Sequence, residues 1–284
     1  MPLDPEKLAA LAPTDLPCDY GTDYSNLYAL STGFAADPMD LRELPYAVDT
    51  MGGSTVPTMA TTLAYPYYLE KCGWDFSQML HSEQKLELYR PLPVSAELLL
   101  NARVAKVLDF GASRGAVVVA ETEGRLKRDD SVLFLATYIM MARGDGGFGG
   151  ERGKLPPTHR APKREPDLLC ENYIRPDQSL MFRLMGDRNP LHADPAAAQH
   201  AGFEQPILHG LCSYGVACRA ILQTICDYDF TLITGFDVRF SAPVYPGETL
   251  VTEMWQDRNI VSFRCRAKER DVVVLNHGKC TLAT

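Results

Sequence analysis

The sequence predicts an α+β protein of two tandem repeats, each an antiparallel sheet wrapped around a central helix. Three observations carry this reading. LHGLCSYGVACRAILQTIC (208–226) is a helical stretch too apolar for a surface, and strand-like segments follow it. The first half of the chain repeats that order, one apolar segment and then strands. Between the halves, GDGGFGGERGKLPPTHRAPKREPD (144–167) is rich in Gly and then in Pro and charge, a composition that buries little and is costly to order. The expected division is a first repeat at 1–143, a linker at 144–167 and a second repeat at 168–284. A chain of 284 residues gives each repeat a sizeable core.

In the first repeat TVPTMATTLAYPYYLEKCG (55–73) is the expected central helix. LELYRPLPV (86–94), AELLLNARVAKVLD (96–109), GAVVVAETEGRLKR (115–128) and SVLFLATYIMMAR (131–143) follow as strands, β-branched and partly alternating. In the second repeat PDQSLMFRLM (176–185) is helical, with Pro176 at its start. DPAAAQHAG (194–202) is a short helix capped by Asp194, with Pro195 in its first turn. After the apolar helix, LITGFDVRFSAPV, ETLVTEMWQD, IVSFRCRAKERD and VVVLNHGKCTLA read as strands, the first two separated by a YPGE turn.

Composition narrows the partners. The net charge of −8 argues against sequence-independent nucleic-acid binding. No apolar run reaches the ~18 residues of a spanning helix, and the acidic N-terminal stretch lacks the pattern of a signal peptide. A cytoplasmic protein without membrane contact is expected. The eight cysteines form no CxxC pair and are scattered through apolar segments, as reduced buried thiols are.

One stretch fits neither helix nor strand. In GDRNPLHADP (186–195), Asp187 and His192 stand five apart around an Asn189–Pro190 corner. On a helix they would diverge by roughly 140°. Pro190 prevents a regular helix and pushes Asn189 toward extended backbone. A shaped loop can instead bring the two side chains to one point, and both can move protons near neutral pH.

GDRNPLH followed by ADPAAAQHAGFEQPILHGL resembles the signature of the (R)-specific enoyl-CoA hydratases, or hydratase 2, within the MaoC-like dehydratases. LYAL (27–30), VPTMATTL (56–63) and MLHSEQKLELYRPLP (79–93) resemble the first half of the two-repeat members. The resemblance implies a double hot-dog fold and reversible addition of water to a trans-2-enoyl-CoA, giving a (3R)-3-hydroxyacyl-CoA. It implies Asp187 and His192 as the catalytic pair, with Asn189 orienting the water or its partners and the roles of base and acid left open. Gly210 would offer a backbone N–H to the thioester oxygen at the start of the apolar helix. His209 and Leu211 would touch substrate.

The substrate is the CoA thioester itself, so neither cofactor nor metal is expected. His192, His200 and His209 lack standard ligand spacing. CoA phosphates need a local basic site, and Arg264, Arg266 and Lys268 alternate along one strand face. Arg188, at the free position of the motif, is expected in solvent, and His81 is structural or substrate-lining. A homodimer is expected. Two rivals are a hot-dog acyl-CoA thioesterase and a non-catalytic acyl-CoA-binding module. Against the first, the helix at 208–226 carries no acid before Asp227. Against the second stands the intact set of Asp187, His192 and Gly210. The first half has no Asp-x-Asn-Pro-x-His, so one active site per chain is expected, with the first half forming a tunnel for the acyl tail.

Overall fold

The computed structural model describes residues 3–72, 78–155 and 158–284. Pro156 and Pro157 of the expected linker, and Gly73 at the end of the first expected helix, lie outside them. The strands are β1 (Leu16–Tyr20), β2 (Met79–Leu88), β3 (Ala96–Asp109), β4 (Ala116–Leu126), β5 (Val132–Ala142), β6 (Leu168–Tyr173), β7 (Ile233–Phe240), β8 (Thr249–Asp257), β9 (Ile260–Ala267) and β10 (Val272–Leu282). The helices are α1 (Pro5–Leu11), α2 (Thr22–Ser31), α3 (Leu44–Ala47), α4 (Ala60–Leu63), α5 (Gln178–Phe182), α6 (Pro195–His200) and α7 (Gly210–Thr224). Among the described residues no helix is long and apolar enough to cross a membrane.

All ten strands form one sheet in the order β1-β3-β4-β5-β2-β7-β10-β9-β8-β6. The pairs are antiparallel, and each half runs through the same internal order from its own edge. The halves join where β2 meets β7, at Glu83↔Arg239, Gln84↔Val238 and Glu87↔Gly235. The edge strands β1 and β6 escape the sequence pattern. β1 is LPCDY, whose Pro is tolerated at an edge, and β6 is a short LLCENY buried only at Cys170 and Asn172.

The two central segments differ. In the second half α7 is buried nearly all round, as its composition requires. In the first half the continuous helix expected over 55–73 is broken. A 3-10 turn at Pro57–Met59 leads into the four-residue α4, and a second 3-10 stretch covers Tyr67–Cys72. Pro66 disfavours helical backbone at Tyr65. The hydroxyls of Thr61 and Thr62 also donate to the carbonyls of Thr58 and Met59, at 2.8 Å each.

The Gly-rich stretch after β5 is held, not free. The Asp109 carboxylate accepts N–H bonds from Gly111, Gly147, Gly149 and Gly150 at 2.7–3.3 Å. Leu155 then packs on a small outer-face cluster of Leu108, Val117, Val119 and Ile139. Near the end of the segment, Trp255 Nε1 donates to the Arg164 carbonyl at 2.8 Å.

A buried ionic network ties the halves together. Glu43, 1% exposed, accepts from Arg219 of α7 at 2.7 Å and 2.8 Å and from the Tyr228 hydroxyl at 3.1 Å. Its other oxygen accepts from the Ala35 amide at 2.8 Å, and Arg219 reaches Asn172 of β6 at 2.6 Å. Removing one partner of such a pair strands the other charge. Glu43→Ala is therefore expected to lower the unfolding free energy by roughly 3–5 kcal/mol, read from denaturant melts. A loss within experimental error would show that the network contributes nothing to stability.

Candidate active site

The corner at 186–195 is built by short-range bonds. Gly186 closes the turn after α5 at φ +126°, a region open to glycine. A Cβ there would also stand 2.6 Å from the Tyr67 hydroxyl, so the phenol packs directly on this backbone. Asp187 Oδ1 accepts from the Asn189 amide, and Asn189 Oδ1 accepts from the Leu191 amide, both at 3.0 Å. Pro190 opens a 3-10 turn that ends at His192. Asn189 thus shapes the corner through its side-chain oxygen.

These bonds leave Asp187 Oδ2 facing His192 Nε2 at 3.9 Å. That gap is too long for a direct hydrogen bond and short enough for one water to bridge. The other ring nitrogen, Nδ1, lies 2.9 Å from the Ile207 carbonyl, which can only accept. Nδ1 therefore carries the proton. Burial pushes the His192 pKa down, against the pull of the Asp187 charge and the Ile207 bond. A neutral ring with a protonated Nδ1 presents a bare acceptor at Nε2.

His209 caps α7 and stacks on His192, ring centroids 3.7 Å apart and planes 25° apart. Its Nε2 donates to the Asp187 carbonyl at 3.3 Å, which holds the corner to the start of the helix. His209 is 1% exposed, and burial keeps it well below the usual histidine range, so it too is neutral. The next two residues, Gly210 and Leu211, open α7 with amides that have no intrahelical acceptor by position. A Cβ on Gly210 would meet the Phe240 ring at 3.1 Å, which explains the glycine.

One cavity of about 600 Å³ gathers these groups; Asp187, Asn189, His192, His209, Gly210 and Leu211 all line it. Its remaining wall includes residues the sequence reading did not single out. Tyr65, Tyr67, Met79, Met140 and Arg143 come from the first half, and Phe240 closes the second. No local motif marks them, because they come from separate segments that meet only in the fold. His81 also lines the cavity, between Tyr65, Tyr138 and Phe240. A bulge in β2 between His81 and Glu83 sets its direction.

The cations of β9, and Lys268 in the turn after it, are not brought to this cavity. Arg264 is ion-paired with Glu253 and lies over the Trp255 ring, and Arg266 reaches Asp271 at 3.0 Å and Glu253 at 3.7 Å. Lys268 meets Glu171 at 2.7 Å. None of the three lines the cavity.

Asp187, His192 and His209 each place a ligand-type atom within 4.8 Å of the others. Imidazole binds a metal in its ring plane. Two rings stacked 3.7 Å apart cannot both aim in-plane lone pairs at one ion, and His209 Nε2 is already donating. The trio fits proton transfer better than metal binding.

A ten-stranded sheet made of two like halves, with an Asp–His corner in only the second, defines a double hot-dog protein with one acid–base corner. The comparisons agree. The MFE-2 hydratase 2 N-terminal domain family matches residues 19–144, and the MaoC-like domain family matches residues 157–282. Enoyl-CoA hydratase ChsH3 of Mycobacterium tuberculosis is 39% identical over 259 residues, 89% of each chain. The MaoC-like dehydratase of Phytophthora capsici superimposes with a TM-score of 0.85 at 29% identity, over 99% of this chain and 98% of that one. An M. tuberculosis protein described as a double hot-dog fold superimposes at TM-score 0.59 and 13% identity, covering 95% of this chain and 94% of that one, a likeness of fold alone. This chain belongs to the MaoC-like dehydratases, in their two-repeat hydratase 2 branch.

The buried histidines set a pH dependence of stability. Burial pushes His81 from 6.5 down to about 4. The unfolded chain therefore takes up the proton first. Stability from this ring is full above 6.5 and is lost as pH falls toward about 4. Denaturant melts at neutral pH and near pH 4 should show a larger acid loss for the wild type than for His81→Gln. Equal losses would mean that His81 titrates normally.

Proposed function

We propose that the chain hydrates trans-2-enoyl-CoA thioesters to (3R)-3-hydroxyacyl-CoA, reversibly, at a single site formed by the second half. The observation that carries this is the 3.9 Å gap between Asp187 Oδ2 and His192 Nε2, in the same cavity as Gly210. A water in the gap donates one O–H hydrogen bond to each, which turns its lone pairs toward the substrate. As its oxygen bonds to C3, His192 Nε2 takes the water's proton, and the Asp187 carboxylate stabilises the imidazolium that forms. The C2–C3 π electrons move to the thioester, whose oxygen takes on enolate charge. The Gly210 amide, with the positive end of α7 behind it, meets that charge; one such donor is worth ~100-fold or more in rate. The pair then returns a proton to C2, and the net change is addition of one water.

Asn189 and His209 position the pair, the first through the Leu191 amide and the second through the Asp187 carbonyl. Leu211 opens α7 beside Gly210 on the substrate side of the cavity. The acyl tail lies against Thr62, Met140, Phe182 and Met185, apart from Thr62 all apolar and largely buried. Methionines adapt their shape, which suits tails of varied form. The broken first-half helix gives this wall its room.

Asp187→Asn and His192→Gln keep the side-chain shape and remove proton transfer. Each is expected to lower enoyl-CoA hydration by ~100- to 10,000-fold, followed by loss of enoyl absorbance, with melting unchanged and a single (3R) product from the wild type. Near-normal turnover in either variant would remove that residue from the mechanism. Release of free thiol by the wild type would point instead to a thioesterase.

A further inference from the structure

The cavity needs a way out for the bulky end of the substrate, and the sheet supplies one. Pairing between β2 and β7 ends at Glu83 and Arg239. Beyond that pair the strands part, and both flanks, His81–Ser82 and Phe240–Ser241, line the cavity. The opening therefore passes between the two halves toward the outer face of the sheet. Leu80 and Met141 are register partners across β2 and β5, so they share that face, and Arg143 directly follows the end of β5, two residues on from Met141. All three line the same cavity. Leu80 is 42% exposed, and Arg143 is exposed.

Arg143 is distinctive by its charge state of affairs. Its backbone is fixed by its amide donating to the Gln78 carbonyl at 3.2 Å. Its guanidinium forms neither an ion pair nor a hydrogen bond among the described residues. It is the one Lys or Arg among the described residues that line the cavity. Arg239, nearby on β7, is ion-paired with buried Glu83. Arg264, Arg266 and Lys268 are likewise paired elsewhere. In a chain of net charge −8, a cation that has no partner among the described residues, placed at the opening, is a feature that an anionic ligand would meet.

We infer that Arg143 is the anion-binding residue of this site, holding the phosphates of a CoA thioester where the substrate leaves the cavity between β2 and β7. The inference rests on the enoyl-CoA reading above and adds the residue that tells a phosphate-bearing thioester from a truncated one. Guanidinium pairs with phosphate through two parallel N–H bonds, a geometry an ammonium cannot copy.

Two measurements test it. Titration calorimetry with coenzyme A and with pantetheine needs no turnover. Arg143→Ala is expected to weaken CoA binding about tenfold, the size of one charge-assisted contact, and to leave pantetheine binding unchanged. Arg143→Glu should weaken CoA binding further, and the wild-type advantage should shrink with added salt. In turnover, Arg143→Ala should raise KM for an enoyl-CoA with kcat unchanged, and leave the kinetics of the matching N-acetylcysteamine thioester unaltered. Unchanged CoA binding in Arg143→Ala, or equal weakening of CoA and pantetheine, would overturn the assignment. Failure of the wild type to hydrate either thioester would instead overturn the enoyl-CoA reading, and the calorimetry separates the two failures.

Discussion

Burying an imidazole beside a carboxylate, with its tautomer fixed, is the constraint around which the second half is arranged. His192 can be buried because the Ile207 carbonyl takes its Nδ1 proton. The ring then needs a rigid approach, which the Asn189 cap and Pro190 turn provide, and a packed face, which His209 provides. His209 in turn opens α7 and bonds the Asp187 carbonyl, so the corner and the helix start move as one piece. Desolvation keeps both rings neutral, and that neutrality leaves Nε2 free to accept.

The two halves have the same strand order and different central segments. The second holds a long buried helix, because a helix start aimed at the cavity needs a stable body behind it. The first has no corner to support, and its central segment is broken by prolines and by threonines that bond their own backbone. It serves as a wall, with Tyr67 pressed on Gly186 and Met140 facing the interior. The buried Glu43–Arg219 pair and the short β2–β7 ladder keep that wall in register with the half that holds the Asp187–His192 corner.

What was legible in the sequence was what lies close together along the chain. The Asp187–His192 corner and the His209–Gly210 helix entry are local, so type and spacing revealed them. The repeated order of a helix and then strands gave the α+β class. The edge strands β1 and β6 were missed because they are short and carry little periodicity. The alternation held for Arg264 and Arg266, while Lys268 falls in the turn after β9; Glu253 stands opposite Arg264 in the ladder, and Asp271 and Glu171 take the others. Alternation finds a face; only the neighbouring strand says whether its charges are already used. Tyr65, Tyr67 and Arg143 had no signal at all, since only the tertiary fold brings them to the cavity that Asp187 also lines.

The central claim is a neutral His192 with its proton on Nδ1 and a bare Nε2 turned toward Asp187. Long-range nitrogen–proton NMR of 15N-histidine-labelled protein reads this directly, with His192 assigned by the signal lost in His192→Gln. At neutral pH the account predicts a neutral Nδ1–H tautomer whose titration midpoint lies below the ordinary histidine value of 6.5. An Nε2–H tautomer, or an imidazolium at neutral pH, would contradict it.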